Sequence, residues 1–314
     1  MSEKQNVLDR RTFIRAVGGV CVAGSIRDVL AQSLPVGSKP LTGRLGVVVW
    51  IAEGESIDEA IAGVRSLGLR TCQIGFVKLA PEITAPVKNA LARYEVEATA
   101  FSEHGPGERV FNYYEGPKTI GIVPRDTREA RIRNLKLAAD IATECGIPAI
   151  HTHCGFIPED PNDPLYEESV LAMKQITSYC KERGRSFLCE TGEETPITLR
   201  RMIEDVGFDN LFVNLDLANL ILYGKGNPVE ALEVLGKLVR GIHAKDGLLP
   251  TNTREFGKEV ALGEGRVDFP VVFEQLRRLN YKGPIQIERE ISGPERTKEI
   301  LRSKAFLEKL LGNA

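Results

Sequence analysis

Short apolar runs alternate along this chain with longer stretches in which apolar residues recur at helical spacing. Residues 45–50, 69–76, 96–102, 148–153, 186–190, 211–216, 240–245 and 283–290 read as strands. The stretches running to about 67, then 80–94, 127–145, 166–183, 196–206, 229–239, 269–279 and 295–311 read as helices. Helix starts carry their own marks. Ser56 and Glu59 have the spacing of a capping box, and Thr195 precedes Pro196, which suits a first helical position. Gly68, Gly146, Gly184, Gly207 and Gly283 fall between helices and the next strands, where a left-handed stop is expected. Eight strand-then-helix units predict an α/β fold, a single closed (β/α)8 TIM barrel. No Gly-x-Gly-x-x-Gly follows any strand, which weighs against an open dinucleotide-binding sheet. Long loops follow the third strand, over 105–124, and the seventh; the part of the first from Tyr113 to Pro124 is expected to serve as a lid or as a contact in a homo-oligomer.

The hydrophobic fraction of 42% suffices for a full core, and a net charge of -2 without any Lys/Arg run gives no case for nucleic acid. The N-terminus follows another pattern. Asp9-Arg10-Arg11-Thr12-Phe13-Ile14-Arg15 is a twin-arginine motif, followed by a weakly apolar stretch 16–26 and a cleavage point after Ala31. The expected organisation is a signal over 1–31, a linker over 32–42 and the barrel over 43–314, with export to the periplasm. The apolar stretch is too short to span a membrane. Cys72, Cys145, Cys154, Cys180 and Cys189 sit among apolar neighbours without a close pair, so buried free thiols are expected.

Four strands end on metal-capable side chains: Glu190, Asp216, His243 and Glu288. In such a barrel the C-terminal strand ends form the active face, and alternation aims these four inward. Two glutamates, an aspartate and an imidazole make an oxygen-rich donor set. It suits Mn²⁺, Mg²⁺ or Co²⁺, with Zn²⁺ also admissible.

Glu190-Thr-Gly-Glu-Glu-Thr-Pro, Asn214-Leu-Asp-Leu-Ala-Asn-Leu-Ile-Leu-Tyr-Gly, His243-Ala-Lys-Asp and Gly263-Glu-Gly-Arg-Val-Asp-Phe resemble the sugar phosphate isomerase/epimerase family. This is the xylose isomerase-like barrel group that includes ketose 3-epimerases. The resemblance implies that Glu190, Asp216, His243 and Glu288 bind one divalent metal, and that the two glutamates act as acid and base on a sugar. An ion chelating a carbonyl oxygen and its neighbouring hydroxyl stabilises the cis-enediolate left when the adjacent proton departs. Proton return to the opposite face gives epimerisation, and return to the neighbouring carbon gives isomerisation. Expulsion of a β-leaving group from a 3-keto-sugar or glycoside would make the enzyme a lyase or hydratase instead. The epimerases' histidine three residues beyond the aspartate is replaced here by Asn219, itself a substrate-binding candidate, and their arginine after the metal histidine has no counterpart.

His153 is expected to contact substrate or relay a proton, ahead of His151 on the same strand. Glu103, His104 and Trp50 end strands and are further substrate-binding candidates. Lys245 is placed to polarise a substrate oxygen or to pair with Asp246, while Glu193 and Glu194 are expected at solvent or at a helix start, with one of them a candidate to bind substrate hydroxyls. Asp268 is expected to cap the helix over 269–279. Two other classes use this barrel: an apurinic endonuclease, which needs more imidazoles than four histidines supply, and a non-catalytic sugar binder.

Overall fold

The computed structural model describes residues 44–312; the expected export signal and linker lie outside the described residues. Seven parallel strands follow in order: β1 (Arg44–Ile51), β2 (Thr71–Phe76), β3 (Glu97–Ser102), β4 (Ala149–His153), β5 (Ser186–Glu190), β6 (Leu211–Asp216) and β7 (Val239–Ala244). A small antiparallel pair, β8 (Asp246–Leu248) and β9 (Lys258–Val260), then precedes β10 (Pro284–Ile287). β10 pairs with both β7 and β1 and so closes an eight-stranded barrel. β2 and β4 are buried along their whole length, as strands with packed faces on both sides must be.

Helices α1 (Ile57–Ser66), α2 (Thr84–Tyr94), α4 (Arg125–Glu144), α5 (Pro164–Glu182), α6 (Pro196–Val206), α8 (Pro228–Leu235), α9 (Phe269–Arg278) and α10 (Pro294–Leu311) follow the strands. Two short helices, α3 (Gly116–Thr119) and α7 (Asn219–Leu222), occupy stretches that carry no helical period. The predicted helix over 229–239 is shorter in the structure, giving way to a 3₁₀ turn at Gly236–Leu238. Ser56, Thr195 and Asp268 each accept a backbone N–H at their helix start, as expected. The reciprocal half of the Ser56 box is not formed; Glu55 accepts from the Ala52 amide at 2.8 Å instead.

Four of the five helix-stop glycines have positive φ, and Gly283 does not. After α9 the left-handed residue is Asn280 (φ 53). Gly283 is required for a different reason: a Cβ there would collide with the Tyr281 hydroxyl and the Arg240 carbonyl. Inside the barrel, Ala100, Ala149 and Leu188 pack with Phe212. The interior also holds the amides of Gln73, Asn214 and Gln286, all buried. Gly241 leaves room for Asn214, and Gly46 for Gln286. Among the described residues no helix is long and apolar enough to cross a membrane.

Candidate metal centre and substrate cavity

Parallel pairing brings the chemistry-bearing strand ends level. Asp216 lies opposite His243, and His243 opposite Gln286, two residues before Glu288. His243 Nδ1 is 2.9 Å from Glu190 Oε1, 3.2 Å from Glu288 Oε2 and 3.6 Å from Asp216 Oδ2. One donor atom from each of the four lies within 4.8 Å of the other three, and all four side chains are buried. Ligands held 2.0–2.6 Å from one ion span at most about 4–5 Å across it. The donor set therefore fits a single divalent cation.

The orientation of each donor is set from behind. Asp216 Oδ1 accepts the backbone N–H groups of Ala218 and Asn219 at 2.8 and 2.7 Å, at the start of α7. Its Oδ2 is buried without a hydrogen-bond partner and faces the cluster. His243 Nε2 meets Gln73 Oε1, an acceptor. Nε2 therefore carries a proton, and Nδ1 is the nitrogen turned to the three carboxylates, which favour a proton there too and leave it free to bind an ion once that proton departs. Gln73 was not anticipated. Its only mark in the sequence is a polar side chain within the apolar run of β2.

Electrostatics concentrate positive potential demand at this point. Burial by itself would raise the Glu190 carboxyl, but the imidazoles of His153, His243 and His151 outweigh it and hold the group well below the usual range. Glu288 is likewise lowered against burial, by Lys245 and then His243. Burial pushes Asp216 up to about 6. His243 is raised well above its ordinary value because Glu288 and Glu190 overcome its burial. The carboxylates thus draw positive charge to the place a divalent ion would take.

A cavity of about 240 Å³ opens above the cluster, smaller than the pockets of drug-sized ligands. All four histidines of the chain line it, with Glu190, Glu288 and Trp50. His153, a predicted contact, puts Nε2 3.0 Å from Glu190 Oε2 and Nδ1 2.9 Å from Glu193 Oε1. His151 Nε2 also approaches Glu190 Oε2, to 2.9 Å, though without hydrogen-bond geometry, so both β4 histidines crowd the same oxygen. Trp50 and His104 stack on each other at 4.7 Å.

Several candidates are placed differently from expectation. Glu103 points away from the cavity; Ser102 takes the inward position and meets His151 Nδ1 at 3.0 Å. The Glu103 carboxylate accepts the Gly105 amide at 2.7 Å, and burial raises it to about 7. Asn219 donates to Glu190 Oε1 at 3.3 Å and so supports a donor without lining the cavity. Glu193 and Glu194 are fully buried, against the expectation of solvent, because the β5–α6 turn folds inward beside Cys154 and His153.

Lys245 does not pair with Asp246. Its ammonium lies 2.7 Å from Glu290 and 3.2 Å from Glu288. Asp246 instead accepts the backbone N–H groups of Gly247, Gly263, Gly265 and Val267 at 2.8–3.1 Å. A Cβ at Gly265 would collide with that carboxylate, which accounts physically for the glycine in the Gly263–Phe269 motif. Arg109, Phe111 and Glu290 also line the cavity. No strand period marks the first two, so they were unreadable. The five cysteines among the described residues are free, four buried and Cys145 half-buried.

The chain matches the xylose isomerase-like TIM barrel family over residues 61–310. A crystal structure of a xylose isomerase domain protein from Planctomyces limnophilus is 31% identical with a TM-score of 0.77, over 87% of this chain and 99% of that one. An E. coli 3-keto-D-glucoside 4-epimerase is 17% identical with a TM-score of 0.62, over 85% and 99% of the two chains. A Mycobacterium smegmatis xylose isomerase-like barrel protein in complex with magnesium is 18% identical with a TM-score of 0.61, over 82% and 89%. These last two likenesses show the fold. The uncharacterized protein MJ1311 of Methanocaldococcus jannaschii is 26% identical over 195 residues, 58% of this chain and 64% of that relative, less than two thirds of its length. The chain belongs to the xylose isomerase-like TIM barrel family.

Proposed function

We propose that the protein is a divalent-metal-dependent isomerase or epimerase of a sugar or keto-sugar, with Glu190 and Glu288 as acid and base. The observation that carries this reading is the convergence of four buried donors within 4.8 Å. A cation held by Glu190, Asp216, His243 and Glu288 would supply Lewis-acid polarisation of a carbonyl and its neighbouring hydroxyl. Magnesium in one family relative supports a hard divalent ion, and Mn²⁺ fits the same oxygen-rich set.

The chain's own groups account for the proton handling. Lys245 and His243 keep Glu288 deprotonated at the cavity wall, the form that accepts a proton from the carbon beside a carbonyl. His151 and His153 place imidazole nitrogens within 3.0 Å of one Glu190 oxygen and favour its ionised form, while Asn219 donates to the other. The small cavity suits one sugar ring, and burial of the donors keeps bulk water from the reacting carbon.

A β-eliminating lyase on a 3-keto-glycoside is the second reading. It is favoured by Asn219, which stands where the epimerases carry a histidine and turns its amide to Glu190. Incubation of Mn²⁺-loaded protein with free and 3-keto sugars in D₂O separates the two. Deuterium at the carbon beside the carbonyl with skeleton mass otherwise retained is expected. Loss of water or aglycone would establish the lyase, and neither outcome across the panel would defeat both readings.

A further inference from the structure

Most charges around the cavity are settled among themselves. Lys245 is bound by Glu290 and Glu288, and His153 by Glu190 and Glu193. Arg109 is different. The residue lines the cavity, yet among the described residues its one side-chain hydrogen bond is from Nη1 to the Gly105 carbonyl, at 3.1 Å, and no carboxylate lies within ion-pair distance, Glu103 feeling its charge only from farther away. A guanidinium carries five N–H donors, so most of this one is left to face whatever enters.

The side chain is also presented on a braced support. Arg131, on α4, is buried under the β3–α4 loop. It donates to the carbonyls of Pro106 (3.1 Å), Glu108 (3.1 Å), Thr119 (2.6 Å) and Gly121 (2.6 Å). Gly105, with φ 75, packs its backbone against the Arg131 side chain, where any Cβ would collide. Four hydrogen bonds to one loop hold Arg109 and Phe111 at fixed positions on the wall. Preorganised charge of this kind lowers the ordering cost of binding.

We infer that the sugar taken by this cavity carries an anionic group, a carboxylate or a phosphate, and that Arg109 is the specificity-determining residue that binds it. The inference rests on the sugar-converting reading above. A cavity of about 240 Å³ leaves no room for a distant anion, so the group belongs to the sugar itself. One end of the sugar meets the strand-end donors, and the other meets the guanidinium fork. Arginine suits both anions through paired N–H donors. Trp50 and Phe111, on the same wall, offer apolar surface to the C–H faces of the ring.

The test compares binding within sugars of matched skeleton, measured by calorimetry on the full chain, so it needs no turnover. D-fructose, D-fructose 6-phosphate and the corresponding uronate D-fructuronate are the probes, against wild type, Arg109→Gln and Arg109→Lys. One charged probe is expected to bind wild type on the order of 10- to 100-fold more tightly than the neutral sugar. That preference should collapse toward unity in Arg109→Gln and be partly kept in Arg109→Lys. Which charged probe wins identifies carboxylate or phosphate. Equal affinity for charged and neutral sugars, no measurable binding of either charged sugar, or a preference surviving in Arg109→Gln would overturn the inference. Thermal melts verify folding, and Arg109→Lys carries the test if the glutamine variant fails to fold. Loss of the anion preference with D₂O exchange intact would leave the reaction class standing. Exchange failing while the preference holds would leave Arg109 standing instead.

Discussion

The two walls of the cavity are built by different means. One wall is the row of strand ends from β5 to β10, where Glu190, Asp216, His243 and Glu288 converge because parallel pairing levels them. The other is the β3–α4 loop, which carries Arg109 and Phe111 and owes its shape to a buried arginine from the following helix. The strand wall has its geometry imposed by a repeating backbone ladder. The loop wall depends on a handful of side chain-to-carbonyl bonds, each replaceable. The proposed chemistry falls on the first wall, and the proposed substrate selection on the second.

Asp216→Asn should break the strand wall alone. It removes a charge from the donor set while keeping an acceptor for the Ala218 and Asn219 amides. Calorimetric Mn²⁺ affinity is expected to fall on the order of 1,000-fold, about 4 kcal/mol, with little change in the loop. Affinity within a few-fold of wild type would remove Asp216 from the site.

Arg131→Met should break the loop wall alone. Four backbone carbonyls lose their donor, and stability in urea is expected to drop by about 3 kcal/mol. Amide exchange should accelerate across 105–121, while Mn²⁺ affinity stays within about threefold of wild type. A parallel collapse of metal binding would show that the two walls are not independent.

Glu103 sharpens the contrast with the smallest effect. Its folded pKa is raised by burial from 4.5 to about 7. Below pH 4.5 it is protonated folded and unfolded alike and costs nothing. Between there and about 7 only the folded state keeps the proton, so stability falls as pH rises, by up to about 3 kcal/mol. Glu103→Gln keeps an acceptor for Gly105 and should lack this slope. Wild type and variant are expected to coincide near pH 4.5 and diverge by pH 7.5 in urea midpoints. Parallel profiles across that range would exclude the shift.

The contrast also explains what could be read in advance. The barrel follows from eight apolar runs separated by amphipathic stretches, and period-two alternation aims Glu190, Asp216, His243 and Glu288 inward. Alternation also gives His151 and His153, though it could not say that both would approach Glu190. Position at a strand end misleads at Glu103, since alternation from the inward Ser102 turns it outward, to accept the Gly105 amide. Adjacency misleads at Lys245, where the nearest acid in sequence, Asp246, is occupied by four loop amides.

By itself the sequence determined the strand count, the closure of the barrel and the four side chains that converge at its mouth, since each follows from local period and the parity of a strand. Only the tertiary structure decided that Gln73 orients His243, that Glu290 and Glu288 share Lys245, that Arg131 braces the loop and that Arg109 is left unpaired. Those contacts join residues distant along the chain through single hydrogen bonds. A hydrogen bond leaves no periodic trace in the order of residues, whereas a buried face leaves one at every turn.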